Sequence, residues 1–165
     1  MKNKILLLML FAFVALHSQD KKNREAFTLE IVANETQQYR AEIPQSPFFV
    51  KDKILQIYCG EKVFVECEIA GDTLSSMKVV EKNLHPEKTI EIEFYQDAKD
   101  RTRINTFLQL TNPFNKDLIY KAAMLTPRSD EWRSTSTIPV RSKLMSFETW
   151  GHSIISLALM DWQFK

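Results

Sequence analysis

Residues 89–95 read Thr89-Ile90-Glu91-Ile92-Glu93-Phe94-Tyr95. Ile90, Ile92 and Phe94 hold one parity, and Glu91, Glu93 and Tyr95 hold the other. Successive side chains of a strand point to opposite faces. The stretch therefore describes a strand with one face on a core and the other in water. Charges placed inside the strand, rather than beside it, fit an antiparallel sheet with a solvated outer face.

The same alternation spreads in both directions. Upstream, Phe27, Leu29 and Ile31 alternate with Thr28 and Glu30; Leu55, Ile57 and Cys59 with Gln56 and Tyr58; Val63, Val65, Cys67 and Ile69 with Phe64, Glu66 and Glu68. Downstream, Ile104, Thr106, Leu108 and Leu110 alternate with Asn105, Phe107 and Gln109, and Leu118, Tyr120, Ala122 and Met124 share one parity. Turn signals fall between these runs: Gly60-Glu61-Lys62, Ala70-Gly71-Asp72, the stretch around Pro86, Asn112-Pro113-Phe114-Asn115 and Pro127-Arg128-Ser129-Asp130. Turn residues at such regular spacing mark a sandwich or barrel of short strands. The expectation is an all-β, antiparallel two-sheet sandwich of about eight to ten strands, occupying residues 20–165 as a single domain. Residues 34–50, with Pro44 and Pro47, read as a long connection holding one short strand near 39–43. Arg133-Ser134-Thr135-Ser136-Thr137, followed by Pro139, reads as an edge strand, because proline is kept to edges and strand ends. Ser153 to Trp162 fits a strand buried on both faces or a helix. Its β surroundings favour the strand.

Leu110-Thr111-Asn112-Pro113-Phe114-Asn115-Lys116-Asp117-Leu118-Ile119-Tyr120-Lys121-Ala122 suggests a strand ending in Asn, a polar hairpin, and a second strand carrying Tyr and Ala. In this and in its strand spacing the chain resembles the immunoglobulin-like sandwiches of small exported bacterial proteins. The Cys…Trp…Cys spacing of antibody domains is absent. The resemblance implies a fold that carries many functions and therefore selects none.

The N-terminus points to export. Lys2 and Lys4 precede an unbroken apolar run from Ile5 to Leu16, and His17-Ser18-Gln19-Asp20 turns polar. A charged start, a short apolar stretch and a polar exit make a secretory signal. The run is shorter than the roughly 20 residues a membrane span needs. The expectation is a signal peptide over residues 1–19, cut after Ser18 or Gln19, and a periplasmic or secreted product with no transmembrane segment. The whole chain has 22 Lys and Arg against 21 Asp and Glu. Loss of residues 1–19 would take Lys2 and Lys4 and no acid, turning a formal net charge of +1 into −1. A near-neutral, mixed surface argues against a nucleic-acid partner, which calls for a basic stripe.

Few residues suggest chemistry. Cys59 and Cys67 are an even pair in a chain expected to be exported, which raises a disulfide. A tight hairpin at 60–62 would set Cys67 opposite Leu55, about 13 Å from Cys59 at 3.3 Å per residue. A disulfide needs Cα atoms within about 7 Å. The bond therefore requires a wider arch or strands in different sheets, and two buried free thiols are the preferred alternative. His85 and His152 sit in turns without a second ligand at metal spacing. Met77, Met124, Met145 and Met160 are scattered, and no metal or cofactor is expected. Asp97 and Asp100 read as solvated loop acids, and no nucleophile elbow or phosphate loop is present. Aromatic residues concentrate in the last third. Trp132, Phe147 and Trp150 are the candidate binding aromatics, for a glycan or a protein partner. The functional expectation is a non-enzymatic binding module. The alternatives are a carbohydrate-binding module using those aromatics and an enzyme whose site is assembled from distant residues.

Overall fold

A computed structural model describes residues 19–165. The expected signal peptide lies outside the described residues except for Gln19. Fourteen strands and no helix are present among the described residues. In chain order they are β1 (Asn23–Arg24), β2 (Phe27–Val32), β3 (Gln38–Ile43), β4 (Ser46–Pro47), β5 (Phe49–Lys51), β6 (Ile54–Tyr58) and β7 (Lys62–Ala70). There follow β8 (Thr73–Val80), β9 (Thr89–Asp97), β10 (Asn105–Thr111), β11 (Leu118–Thr126), β12 (Ser129–Thr135), β13 (Met145–Trp150) and β14 (Ser156–Phe164). The count exceeds eight to ten because the irregular region before residue 54 contains three strands of two or three residues, and because β13 was not foreseen.

Two five-stranded antiparallel sheets form the body. The first has the order β13-β10-β9-β7-β8 and the second β12-β11-β14-β6-β5. Their inward parities meet in one core: Val63, Val65, Ile90, Ile92, Phe94, Leu108 and Leu110 from the first, Leu55, Ile57, Leu118, Leu157 and Leu159 from the second. Full burial of each such side chain stabilises the fold by about 1.5–3 kcal/mol. β14 is the central strand of the second sheet, and Ser156, Leu157, Ala158 and Leu159 are all buried. The ambiguous C-terminal segment is thus a strand covered on both faces. Phe27 packs edge-on against Tyr58 on the outer parity of β6, 5.9 Å between centroids, so the β2–β3 hairpin covers part of that sheet. Opposite the shift between Ile119 and Lys121, Asp161 takes the left-handed conformation of a bulge, with φ 55°.

Two expected hairpins are arches instead. β6 and β7 lie in different sheets, so Gly60-Glu61-Lys62 carries the chain across the sandwich. Gly60 has φ +97°, and a Cβ there would meet nothing within 4 Å. Conformation, not space, calls for the glycine. The segment after Asn112 likewise joins the first sheet to the second. Asn112 is buried and organises the arch. Its Nδ2 donates to the carbonyls of Lys116, Val140 and Arg141, and its Oδ1 accepts from Phe114 N.

A buried arginine ties the N-terminal segment to the first arch. Arg24 is 2% exposed. Its guanidinium donates to both carboxylate oxygens of Glu61, to Ser46 Oγ, and to the carbonyls of Pro47 and Gln56. All five donors of the side chain are thereby engaged. It also lies over the rings of Phe48 and Tyr58. Just before it, Lys21 N donates to Val79 O and Glu81 N to Gln19 O, so residues 19–21 run along the edge of β8.

Candidate functional site

Four connections meet at one end of the sandwich and enclose a cleft of about 540 Å³. They are β2–β3, β9–β10, β11–β12 and β13–β14. That volume lies within the range of small-molecule sites. Short polar side chains shape the walls. Asn34 Oδ1 accepts from the backbone of Thr36 and Gln37. Asp100 Oδ1 accepts from Thr102 N and Oγ1, which holds the Asp100 carboxyl below its ordinary range. Buried Ser153 donates to Val32 O, and Thr106 Oγ1 donates to His152 O. The floor is therefore fixed by hydrogen bonds that tie the β13–β14 connection to the end of β2 and the start of β10.

Arg101, Arg128 and Arg133 line this cleft, with Glu35 as the single acid. His152 is also there, but its ring faces the carbonyl of Ser153 at 3.2 Å and reaches no carboxylate among the described residues. A second cleft of about 510 Å³ surrounds Arg24 and Glu61, where the central charges neutralise each other.

The three candidate aromatics are not brought together. β12 and β13 are the outer strands of opposite sheets on the same side of the sandwich. Trp132 is 43% exposed and has the outward parity of the second sheet. Phe147 is 53% exposed and has the outward parity of the first. Trp150 stands between them on the inward parity of β13, and its Nε1 donates to Thr135 Oγ1 at 2.9 Å, bridging the two edge strands. Phe147 instead acquires neighbours that the sequence did not single out. Phe107 lies diagonal to it across β10, and Tyr95 stacks on Phe107 at 5.2 Å between centroids. The available signal was an aromatic residue on the outward parity of two adjacent strands.

Cys59 and Cys67 are free thiols, both buried. Burial pushes each thiol up to about 12, and for Cys67 the neighbouring Glu66 and Glu68 act in the same direction. His85 stands 4.0 Å from Glu66 Oε2 and 3.8 Å from Glu87 Oε1, beyond hydrogen-bond distance. No group of three metal-ligating side chains occurs among the described residues, and no helix among them is long and apolar enough to cross a membrane. Compared with protein-family models, with curated proteins and with solved structures, the chain matches none.

Proposed function

We propose that this chain is an exported, non-enzymatic binding module of immunoglobulin-like kind that takes its ligand in the loop cleft. The observation that carries the reading is the cleft itself: about 540 Å³, walled by four separate connections and lined mainly by polar side chains. Rigid sheets that present clustered loops are a common way to build a recognition site. The N-terminal charge-and-apolar pattern supports export, and the bond from Glu81 N to Gln19 O favours a cut after Ser18 over one after Gln19. Mass spectrometry of the processed protein should find Gln19 first.

Gly151 supplies the test of the cleft. It lines the site, has an ordinary backbone conformation, and a Cβ there meets nothing within 4 Å. Gly151→Trp should fill the cleft and leave the fold intact. A thermal-shift panel of polar metabolites and oligosaccharides should contain compounds that raise the melting temperature of the natural chain and not of the variant. Compounds that stabilise both equally would place binding elsewhere.

A second reading has its own observation. The strip formed by Tyr95, Phe107 and Phe147 on the outer face of the first sheet suits stacking against sugar rings. It requires that Phe107→Ala and Phe147→Ala each reduce retention on an insoluble polysaccharide, while Gly151→Trp does not.

A further inference from the structure

We infer that the loop cleft selects a ligand through an oxyanion: a carboxylate, sulfate or phosphate group. This rests on reading the cleft as a binding site and adds the chemistry of what it holds. The chain has seven arginines. Arg24, Arg40 and Arg141 are each paired with a carboxylate, and none of them lines the cleft. The other four make no ion pair or side-chain hydrogen bond among the described residues. Three of these, Arg101, Arg128 and Arg133, line the cleft, and Arg103 stands on the same loop as Arg101. Segregation of this kind is unexpected in a chain whose charges are otherwise mixed and nearly balanced.

The choice of cation points the same way. The chain has fifteen lysines, and none lines the cleft. A guanidinium presents a planar fork of donors that matches two oxygens of a carboxylate, sulfate or phosphate, which an ammonium cannot do. Nearby acids do little to neutralise the arginines. Glu35 is the single carboxylate in the lining, and the carboxylate of Asp100 is engaged by Thr102. Asp130 and Glu131 precede Trp132 on β12 and are outside the lining. Thr102 and Ser134 add hydroxyl groups to the walls. Three cations and one acid on the walls of a single cleft favour an anion there over a neutral or cationic ligand.

The test is a titration of the isotope-labelled processed chain, followed by the backbone amide signals in low salt. The probes are inorganic phosphate, inorganic sulfate, glucuronate, and glucose as the neutral counterpart of glucuronate. At least one anion should shift the signals of 33–35, 101–104 and 151–153 saturably, and added sodium chloride should weaken the effect. Comparison among the three anions identifies which group is preferred. Arg101→Ala with Arg133→Ala should reduce affinity roughly tenfold or more, the loss expected for charge-assisted partners. A double variant of equal charge, Arg40→Ala with Lys121→Ala, should stay within about twofold if long-range charge is screened. The arginine variant should also melt no lower than the natural chain without ligand, which a purely structural role would not allow. Equal shifts from glucose and glucuronate would overturn the anion selectivity and leave the cleft standing as a binding site. Anion shifts that are absent from these loops, or that survive the arginine substitutions unchanged, would overturn the inference outright.

Discussion

Arg24 shows how a single residue becomes costly to change. Its five donors all have acceptors, and removal would leave the carboxylate of Glu61 with only the Tyr58 amide as a donor, in a largely buried site. Arg24→Ala should cost about 3–5 kcal/mol, the usual loss when one partner of a buried pair is deleted. Urea unfolding would measure it, and Arg24→Lys should recover only part, because an ammonium cannot reach all these acceptors. Glu148 is the opposite case. Burial raises its carboxyl above the ordinary 4.5, although Ile138 N donates to it. Its folded-state value therefore exceeds the unfolded one, so stability present below 4.5 is lost as the pH rises through the folded value. Glu148→Gln keeps an acceptor for Ile138 and removes the charge. The variant should melt higher than the natural chain at pH 7, and the gap should close as the pH falls below 4.5. Glu68, held low by Lys88, and Asp117, held low by the Ser142 amide, titrate in the reverse sense, so the two chains must be compared at equal pH. For the two cysteines, thiols pushed up to about 12 by burial should react with a disulfide reagent at pH 8 only after denaturation, releasing two equivalents per chain. Rapid labelling of the folded protein would contradict their placement.

At the level of strands, position in the sheet decides what a side chain is worth. β14 lies between β6 and β11, and Leu157 is fully buried. Leu157→Ala should destabilise by about 2–5 kcal/mol, since a cavity is left that the neighbouring sheet cannot close. β13 is an outer strand whose pattern is inverted: Met145 and Phe147 face water, while Ser146 and Glu148 stand opposite Leu110 and Leu108 on the inward parity. Phe147→Ala should therefore change unfolding free energy by no more than about 0.5 kcal/mol. A loss comparable to that of Leu157→Ala would show that β13 carries a hidden core contact. The inversion also explains why this strand escaped the alternation rule, which assumes that apolar side chains point inward.

The whole molecule is built from distant partners. Tyr58 pairs with Ser156, Thr106 with Trp150, and both arches cross between sheets. Loop closure must precede most of these contacts, so folding should take milliseconds to seconds. Stopped-flow tryptophan fluorescence would read this through Trp162, which is buried and stacked on Tyr120. Folding in microseconds would be incompatible with the strand order.

Alternation by itself determined that the chain is all-β and antiparallel, and it placed the strands at 27–31, 63–69 and 89–95 close to their observed bounds. Side-chain parity is local and survives in the sequence because each strand must bury one face. Which strand pairs with which is not local. The Gly60 and Asn112 turns read locally as hairpins, and only the packing of two sheets decided that they cross as arches. The cleft was illegible for the same reason. Arg101, Arg128 and Arg133 are separated in the chain and share no spacing rule, and they meet because four connections end at one edge of the core. The aromatics show the converse: Trp132 and Phe147 are close in sequence, yet the crossover between β12 and β13 sends them to opposite faces.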